Sequence, residues 1–164
     1  CHFWVKRQFL LEVLMHSISF IKQNEFELWN ELWQKYLKFY QTSLPDSVTK
    51  VTWERIMEPE QNIFSFGGYW AADGTKELVG FTNFLYHSST WSEQGYCYLE
   101  DLYVEERFRG KGFGRLLIEA VWDDCLRKGV KRLYWKTQDK NRIARIMYDK
   151  VAKQSGFVEY EIEA

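Results

Sequence analysis

The residues best suited to chemistry lie in one stretch, Tyr98 to Ile118, with the sequence YLEDLYVEERFRGKGFGRLLI. Glu100 and Asp101 are adjacent carboxylates in a strand-like run, and a positioned carboxylate can take a proton from an ammonium group. A turn rich in arginine and glycine follows, from Arg107 through Arg109, Gly110, Lys111, Gly112 and Gly114. It opens into an amphipathic helix. A helix N-terminus presents free backbone N–H groups and partial positive charge, and both favour a phosphate. Glycine there lets the backbone close around an anion without a Cβ in the way. Carboxylates on one side and a phosphate cradle on the other imply a phosphate-bearing cofactor brought to a basic or nucleophilic substrate.

Three phosphate-loop patterns compete for this turn. The P-loop needs GxxxxGK[ST], and no such run is present. The dinucleotide fingerprint needs GxGxxG, but in Gly110-Lys111-Gly112-Phe113-Gly114 the third glycine comes one residue early. The third pattern is Arg-x-x-Gly-x-Gly, from Arg109 through Gly112 to Gly114, after a strand containing Glu-Asp-Leu-Tyr-Val. The plain alternative is a glycine-rich turn between a strand and a helix. The order of the surrounding elements favours the third.

Those elements read as follows. Ser17 to Ile21 is a short strand. Asn24 is placed as a helix cap with Glu27 as its capping-box partner. Phe26, Trp29, Leu32, Trp33, Tyr36, Leu37 and Tyr40 then form one apolar stripe at helical spacing, mostly core, with the Tyr36–Tyr40 end available to wall a cleft. A second helix runs roughly from Val48 to Met57, between Pro45 and Pro59. Asn62 to Trp70 and Leu78 to Tyr86 are strands joined by a hairpin turn signalled by Asp73-Gly74. A polar loop from His87 to Gly95 leads to the strand Tyr96 to Val104. After the glycine turn, Phe113, Leu116, Leu117, Ala120 and Val121 share a helix face, and Gly129 is a C-terminal stop. Lys131 to Thr137 is a strand, Asn141 to Lys153 a helix, and Phe157 to Ile162 alternates as a terminal strand. The order β-α-α-β-β-β-α-β-α-β predicts an α/β (α+β) fold. Its central sheet is mixed and mostly antiparallel, with about six strands and about four flanking helices.

This arrangement resembles the GNAT superfamily of N-acetyltransferases. The turn from Arg109 to Gly114 looks like its acetyl-coenzyme A loop, and NRIARIMYDKVAKQSG, from Asn141 to Gly156, looks like its closing segment. Asn141 and Tyr148 stand seven residues apart, on one helix face. YLEDLYV looks most like the diamine acetyltransferases. Asn141, Ala144, Tyr148 and Lys150 resemble the fungal histone- and polyamine-acetylating branch. Many members carry another strand after the sixth. A partner subunit, in a homodimer, is expected to complete the edge here.

The resemblance implies acetyl-coenzyme A as cofactor and direct attack by a neutral primary amine, with no acyl-enzyme. Glu100 or Asp101 is the candidate base. Adjacent strand residues point to opposite faces unless a bulge intervenes, so one of the two is expected to face the substrate directly. A backbone N–H near Leu102 or Tyr103 would polarise the thioester carbonyl. Tyr103 and Val104 would pair with the pantetheine amides. The pyrophosphate would sit on the backbone from Arg109 through Gly110, Lys111, Gly112 and Phe113 to Gly114, with Arg115 opening the helix. Asn141 would hold the cofactor arm, and Tyr148 would protonate the departing thiolate. The competing roles are an ion pair of Glu100 or Asp101 with Arg107 or Arg109, and a packing role for Tyr148.

The acceptor is a small or peptide amine. Glu100, Asp101 and Asp46 favour a cationic one, with Trp53, Tyr36, Tyr40, Tyr86, His87 and Trp91 as possible aromatic walls. Polyamine, basic peptide side chain and aminoglycoside all fit. A weakly catalytic coenzyme A–binding sensor and a dimeric interaction protein are the competing classes.

Composition sets the outer bounds. At 164 residues the chain is expected to form a single domain from residue 15 to 164, preceded by an extension of unknown role, residues 1–14. A net charge of −1 gives no basic excess for nucleic acid. No apolar run reaches the length of a membrane span. Cys1, Cys97 and Cys125 form an odd set without CxxC, which fits a reducing, cytoplasmic setting. His2, His16 and His87 lack ligand spacing, so no metal is expected.

Overall fold

The computed structural model describes residues 15–163; the predicted N-terminal extension lies outside them. Five strands form one sheet in the order β1-β2-β3-β4-β5. They are β1 (His16–Phe20), β2 (Ile63–Ala72), β3 (Thr75–Ser89), β4 (Ser92–Val104) and β5 (Leu133–Tyr134). The first four pair antiparallel, and β5 joins β4 in parallel. Four helices flank the sheet: α1 (Phe26–Phe39), α2 (Asp46–Met57), α3 (Phe113–Arg127) and α4 (Arg142–Val151).

The aromatic stripe of α1 buries Trp29, Leu32, Trp33 and Leu37 against Phe81 and Tyr103 of the sheet. Trp29 and Trp33 stack with centroids 5.4 Å apart. The opposite face of the sheet packs Phe66, Phe84, Cys97 and Leu99 under Leu117, Ile118, Val121 and Cys125 of α3. Each helix therefore supplies one apolar side to a core that the sheet divides in two.

Several local expectations shift. The entry to α1 is a 3-10 turn, Gln23–Glu25, and the predicted capping box of Asn24 with Glu27 gives way to a single contact from the Glu25 side chain back to Lys22. The backbone N–H of Lys22 donates to Glu25 Oε2 at 2.8 Å. The polar segment His87 to Gly95 is mostly strand: β3 and β4 continue outward as a two-stranded ribbon, pairing as far as Ser89 with Ser92. Its polar residues suit a ribbon with solvent around it. The predicted strand Lys131–Thr137 shortens to two residues. The terminal strand Phe157–Ile162 does not form; that segment has no regular structure and leaves Phe157, Tyr160 and Ile162 84%, 92% and 100% exposed. Alternating side chains prepare a strand face, but a strand needs a neighbour for its backbone groups.

Candidate active site

The brevity of β5 is what opens the site. β4 and β5 pair only at Cys97 with Leu133 and Tyr98 with Tyr134. Beyond Tyr98, β4 loses its β5 neighbour and a gap begins. The N–H of Glu105 reaches back to the Val79 carbonyl at 2.8 Å, on the β3 side. By strand alternation, Asp101 and Tyr103 also turn their backbone groups to β3, and Leu102 and Val104 turn theirs to the gap. Of the two N–H positions proposed for the carbonyl contact, Leu102 faces the opening and Tyr103 does not.

A β-bulge settles how the two carboxylates lie. Asn83 pairs with Asp101 and Phe84 pairs with Leu99, leaving Glu100 as the extra residue. The bulge brings both side chains toward the α1 side. There the Glu100 charge acts on Asp101, on Tyr98 and on Tyr36. Glu100 is exposed, whereas Asp101 is 9% exposed. Burial pushes the Asp101 carboxyl up to about 6, hydrogen bonds from Tyr36 and Asn83 hold it back from going further, and Glu100 adds to the rise. The Asn83 Nδ2 donates to Asp101 Oδ2 at 3.0 Å. Sequence reasoning passed over Asn83, although a buried amide within the apolar run of β3 was a signal.

Neither carboxylate is tied to the neighbouring arginines. Arg107 pairs with Glu77, and Arg109 donates its Nε to the Val104 carbonyl at 3.0 Å. Arg109 also lies over the rings of Phe39 and Tyr103, 5.5 and 5.6 Å from their centroids. The ion-pair alternative for Glu100 and Asp101 is therefore excluded among these residues.

Tyr148 of α4 packs against the cluster that includes Leu99 of β4 and Leu117 of α3. Its ring meets Trp135 edge to face at 5.4 Å. Burial raises its hydroxyl to about 12, with Tyr40 adding to the shift. Tyr36 and Tyr40, at the end of α1, meet edge to face with centroids 5.0 Å apart. Asn141 caps α4 by accepting the Ala144 N–H at 3.4 Å, and its Nδ2 approaches Thr137 Oγ1 at the same distance.

The glycine turn fits a phosphate group. Gly110 and Gly112 have φ of 76° and 89°, conformations that side-chain-bearing residues rarely adopt. A Cβ built on either would meet nothing within 4 Å, so the backbone borders open space. The first bond of α3 is Leu116 N–H to the Gly112 carbonyl, which leaves the N–H groups of Phe113, Gly114 and Arg115 ahead of it. Gly114 has a second reason: a Cβ there would stand 3.3 Å from Met147 Cε of α4. Lys111 lies over Trp70 at 5.3 Å, and Arg115 pairs with Glu119 at 2.6 Å.

The other proposed aromatic walls separate. Trp53 is core, and Tyr86 faces α3, donating to Asp124 Oδ2 at 2.6 Å. Trp91 is exposed at the tip of the ribbon. His87 lies on the open face and shares a 2.9 Å hydrogen bond with the Tyr134 hydroxyl. Asp46 is exposed at the start of α2.

The family's sequence model, described as acetyltransferase (GNAT) family, matches residues 26–152. A D-amino-acid N-acetyltransferase of Saccharomyces cerevisiae is 35% identical over 145 residues, covering 88% of each chain. A thialysine N-epsilon-acetyltransferase of Caenorhabditis elegans is 38% identical over 76 residues, 46% of this chain and 47% of that one. An aminoglycoside N-acetyltransferase solved in complex with coenzyme A superposes with a TM-score of 0.75 at 20% identity, covering 90% of this chain and 94% of that one. The chain belongs to the GNAT family and is an N-acetyltransferase.

Proposed function

We propose that the chain moves an acetyl group from acetyl-coenzyme A to the primary amine of a small molecule by direct attack. The observation that supports this reading is the side of β4 left unpaired beyond Tyr98, on the strand that carries the buried Asp101 and leads to a glycine turn bordering open space. Acetyl-coenzyme A, when bound, supplies a thioester whose carbonyl carbon accepts the amine. The turn from Arg109 to Gly114 and the α3 N-terminus bind the pyrophosphate. Leu102 and Val104 would offer backbone groups to the pantetheine arm, and the Leu102 N–H would polarise the thioester carbonyl. Asn141 holds the arm from α4. Asp101 receives the amine proton, directly or through water and Glu100. As the C–N bond forms and the C–S bond breaks, Tyr148 gives its proton to the leaving sulfur.

The two sequence relatives described above are named for an amino acid and an amino-acid analogue. They favour an amino-acid acceptor over the polyamine or basic protein side chain that the acidic pair alone suggests. The exposed apolar tail, Phe157 to Ile162, supports a homodimer in which a second copy covers it. No helix among the described residues is long and apolar enough to cross a membrane. Buried, unpaired Cys97 and Cys125 suit a reducing cytoplasm. The test is thiol release from acetyl-coenzyme A with a panel of amines, and mass spectrometry of the products. A product heavier by one acetyl group is expected. Cofactor consumption without an acetylated amine would refute the reading.

A further inference from the structure

The buried face of the sheet under α1 holds a row of polar side chains that leads away from the site. Asn83 of β3 pairs with Asp101 of β4 on one side and with Ser65 of β2 on the other. Asn83 is 2% exposed and Ser65 1%. Cross-strand partners share a face of the sheet. Here it is the face of Ile63 and Phe81, which belong to the core under α1. The N–H of Tyr86 donates to the Asn62 carbonyl, so Asn62 turns its backbone to β3. Three residues on, the Ser65 carbonyl turns the other way and accepts the Ile21 N–H at 3.0 Å. Ser65 and Asn83 are therefore a non-hydrogen-bonded pair, the arrangement that brings facing side chains closest.

Each member of that pair carries an unused polar atom. The Asn83 Nδ2 donates to Asp101 Oδ2 at 3.0 Å, but the Asn83 Oδ1 has no partner among the described residues. The Ser65 Oγ has none there either. The first is an acceptor and the second has a proton to donate. The orientation of the amide matters to Asp101. An ionised carboxylate only accepts hydrogen bonds, whereas a protonated one also donates. An amide free to turn over serves both forms, with Nδ2 for the first and Oδ1 for the second. An amide whose Oδ1 is held elsewhere serves the ionised form alone. β3 fixes the backbone of Asp101 as well, because Thr82 Oγ1 donates to its carbonyl at 2.8 Å. The titratable groups that act on Asp101 are Tyr36 and Tyr40 from α1, and Glu100 and Tyr98 along β4.

We infer that the Ser65 hydroxyl donates to Asn83 Oδ1 and pins the amide, so that Ser65 and Asn83 are positioning residues that hold Asp101 in its proton-accepting form. The inference rests on the reading of Asp101 as the base and adds the two residues behind it. One donor competes with Ser65. The Trp29 Nε1 is also buried without a partner among the described residues, and its ring lies 6.1 Å from that of Phe81 on the same face.

The experiment follows the Asp101 carboxyl by carbon NMR of the full chain labelled at its aspartate carboxyl carbons, the signal being assigned by its loss in Asp101→Asn. The wild type should titrate at about 6. Asn83→Ala removes the donor to the charged form and should raise the midpoint by about one pH unit. Ser65→Ala, which exchanges a hydroxyl for a hydrogen, should raise it in the same direction by about half as much. In the Asn83→Ala background Ser65→Ala should add nothing, because the two act through one chain. The acidic limb of kcat/KM should move with the midpoint in each variant. An unmoved midpoint in Ser65→Ala, an equal shift from Ser65→Ala in both backgrounds, or a shift that Trp29→Phe produces in its place overturns the inference. A midpoint that moves while the rate limb stays fixed removes Asp101 as the base, and the positioning role with it. The expected titrations with no acetylated product from any amine refute the transferase reading and leave the hydrogen-bond chain standing, since the titration needs no turnover.

Discussion

A buried carboxylate and an exposed one sit side by side at Glu100 and Asp101, and their surroundings divide their work. Asp101, raised to about 6 chiefly by burial, is ionised at neutral pH yet basic enough to hold a proton. The wild-type kcat/KM should rise with pH through about 6 as Asp101 loses its proton. Asp101→Asn should remove that limb and lower turnover on the order of 10²-fold or more. Retention of the limb would move the base to Glu100. Stability gives a second readout. A carboxyl whose folded pKa lies above its unfolded value binds more protons in the folded state, so stability falls as pH rises from about 4 through about 6. Asp101→Asn avoids that loss. Its melting temperature should exceed the wild type's at pH 7, and the difference should shrink toward pH 4. Tyr148→Phe should lower kcat on the order of 10²-fold with acetyl-coenzyme A affinity unchanged. Unaltered kcat would exclude Tyr148 as the acid.

Elements position these residues through two close backbone relations. The first is the turn into α3, where Gly112 takes a φ of 89°. Gly112→Val forces a β-branched residue into that conformation at the cradle. Acetyl-coenzyme A should raise the melting temperature of the wild type and fail to raise that of the variant; equal protection would move the phosphate site elsewhere. The second is the approach of β3 to β4. A Cβ on Gly80 would stand 2.7 Å from the Tyr103 carbonyl oxygen and 3.3 Å from Val104 Cα. Both neighbours are backbone of the strand that lines the gap, so neither can swing aside. Gly80→Ala should cost about 1–3 kcal/mol in denaturant unfolding and weaken cofactor protection in parallel. A wild-type midpoint would show that β4 yields at little cost.

At the scale of the whole molecule, the segment after α4 exposes a row of apolar side chains. From Phe157 to Ile162 the side chains alternate, and the apolar ones lie in water. Ile143 and Ile146 of the neighbouring α4 are 86% and 61% exposed as well. Sedimentation should show a dimer that becomes a monomer when residues 157–164 are deleted. An unchanged sedimentation coefficient per chain would assign the tail to another role.

What the amino-acid order determined by itself was local. Asp73-Gly74 specified the hairpin because both residues accept positive φ, here 50° and 74°. The Arg109–Gly114 turn, the aromatic stripe of α1 and the Asn141 cap were legible for the same reason: each depends on residues within a turn or two. The tertiary structure decided what depends on a neighbouring strand. Pairing with β3 created the bulge that turned Glu100 and Asp101 to one side. It also drew the polar segment after Tyr86 into the ribbon. The early end of β5 opened the gap, which no spacing along the chain reveals. The alternation in Phe157–Ile162 was legible, yet no strand formed there. Alternation specifies which side chains share a face, whereas a strand exists only when another backbone accepts its hydrogen bonds.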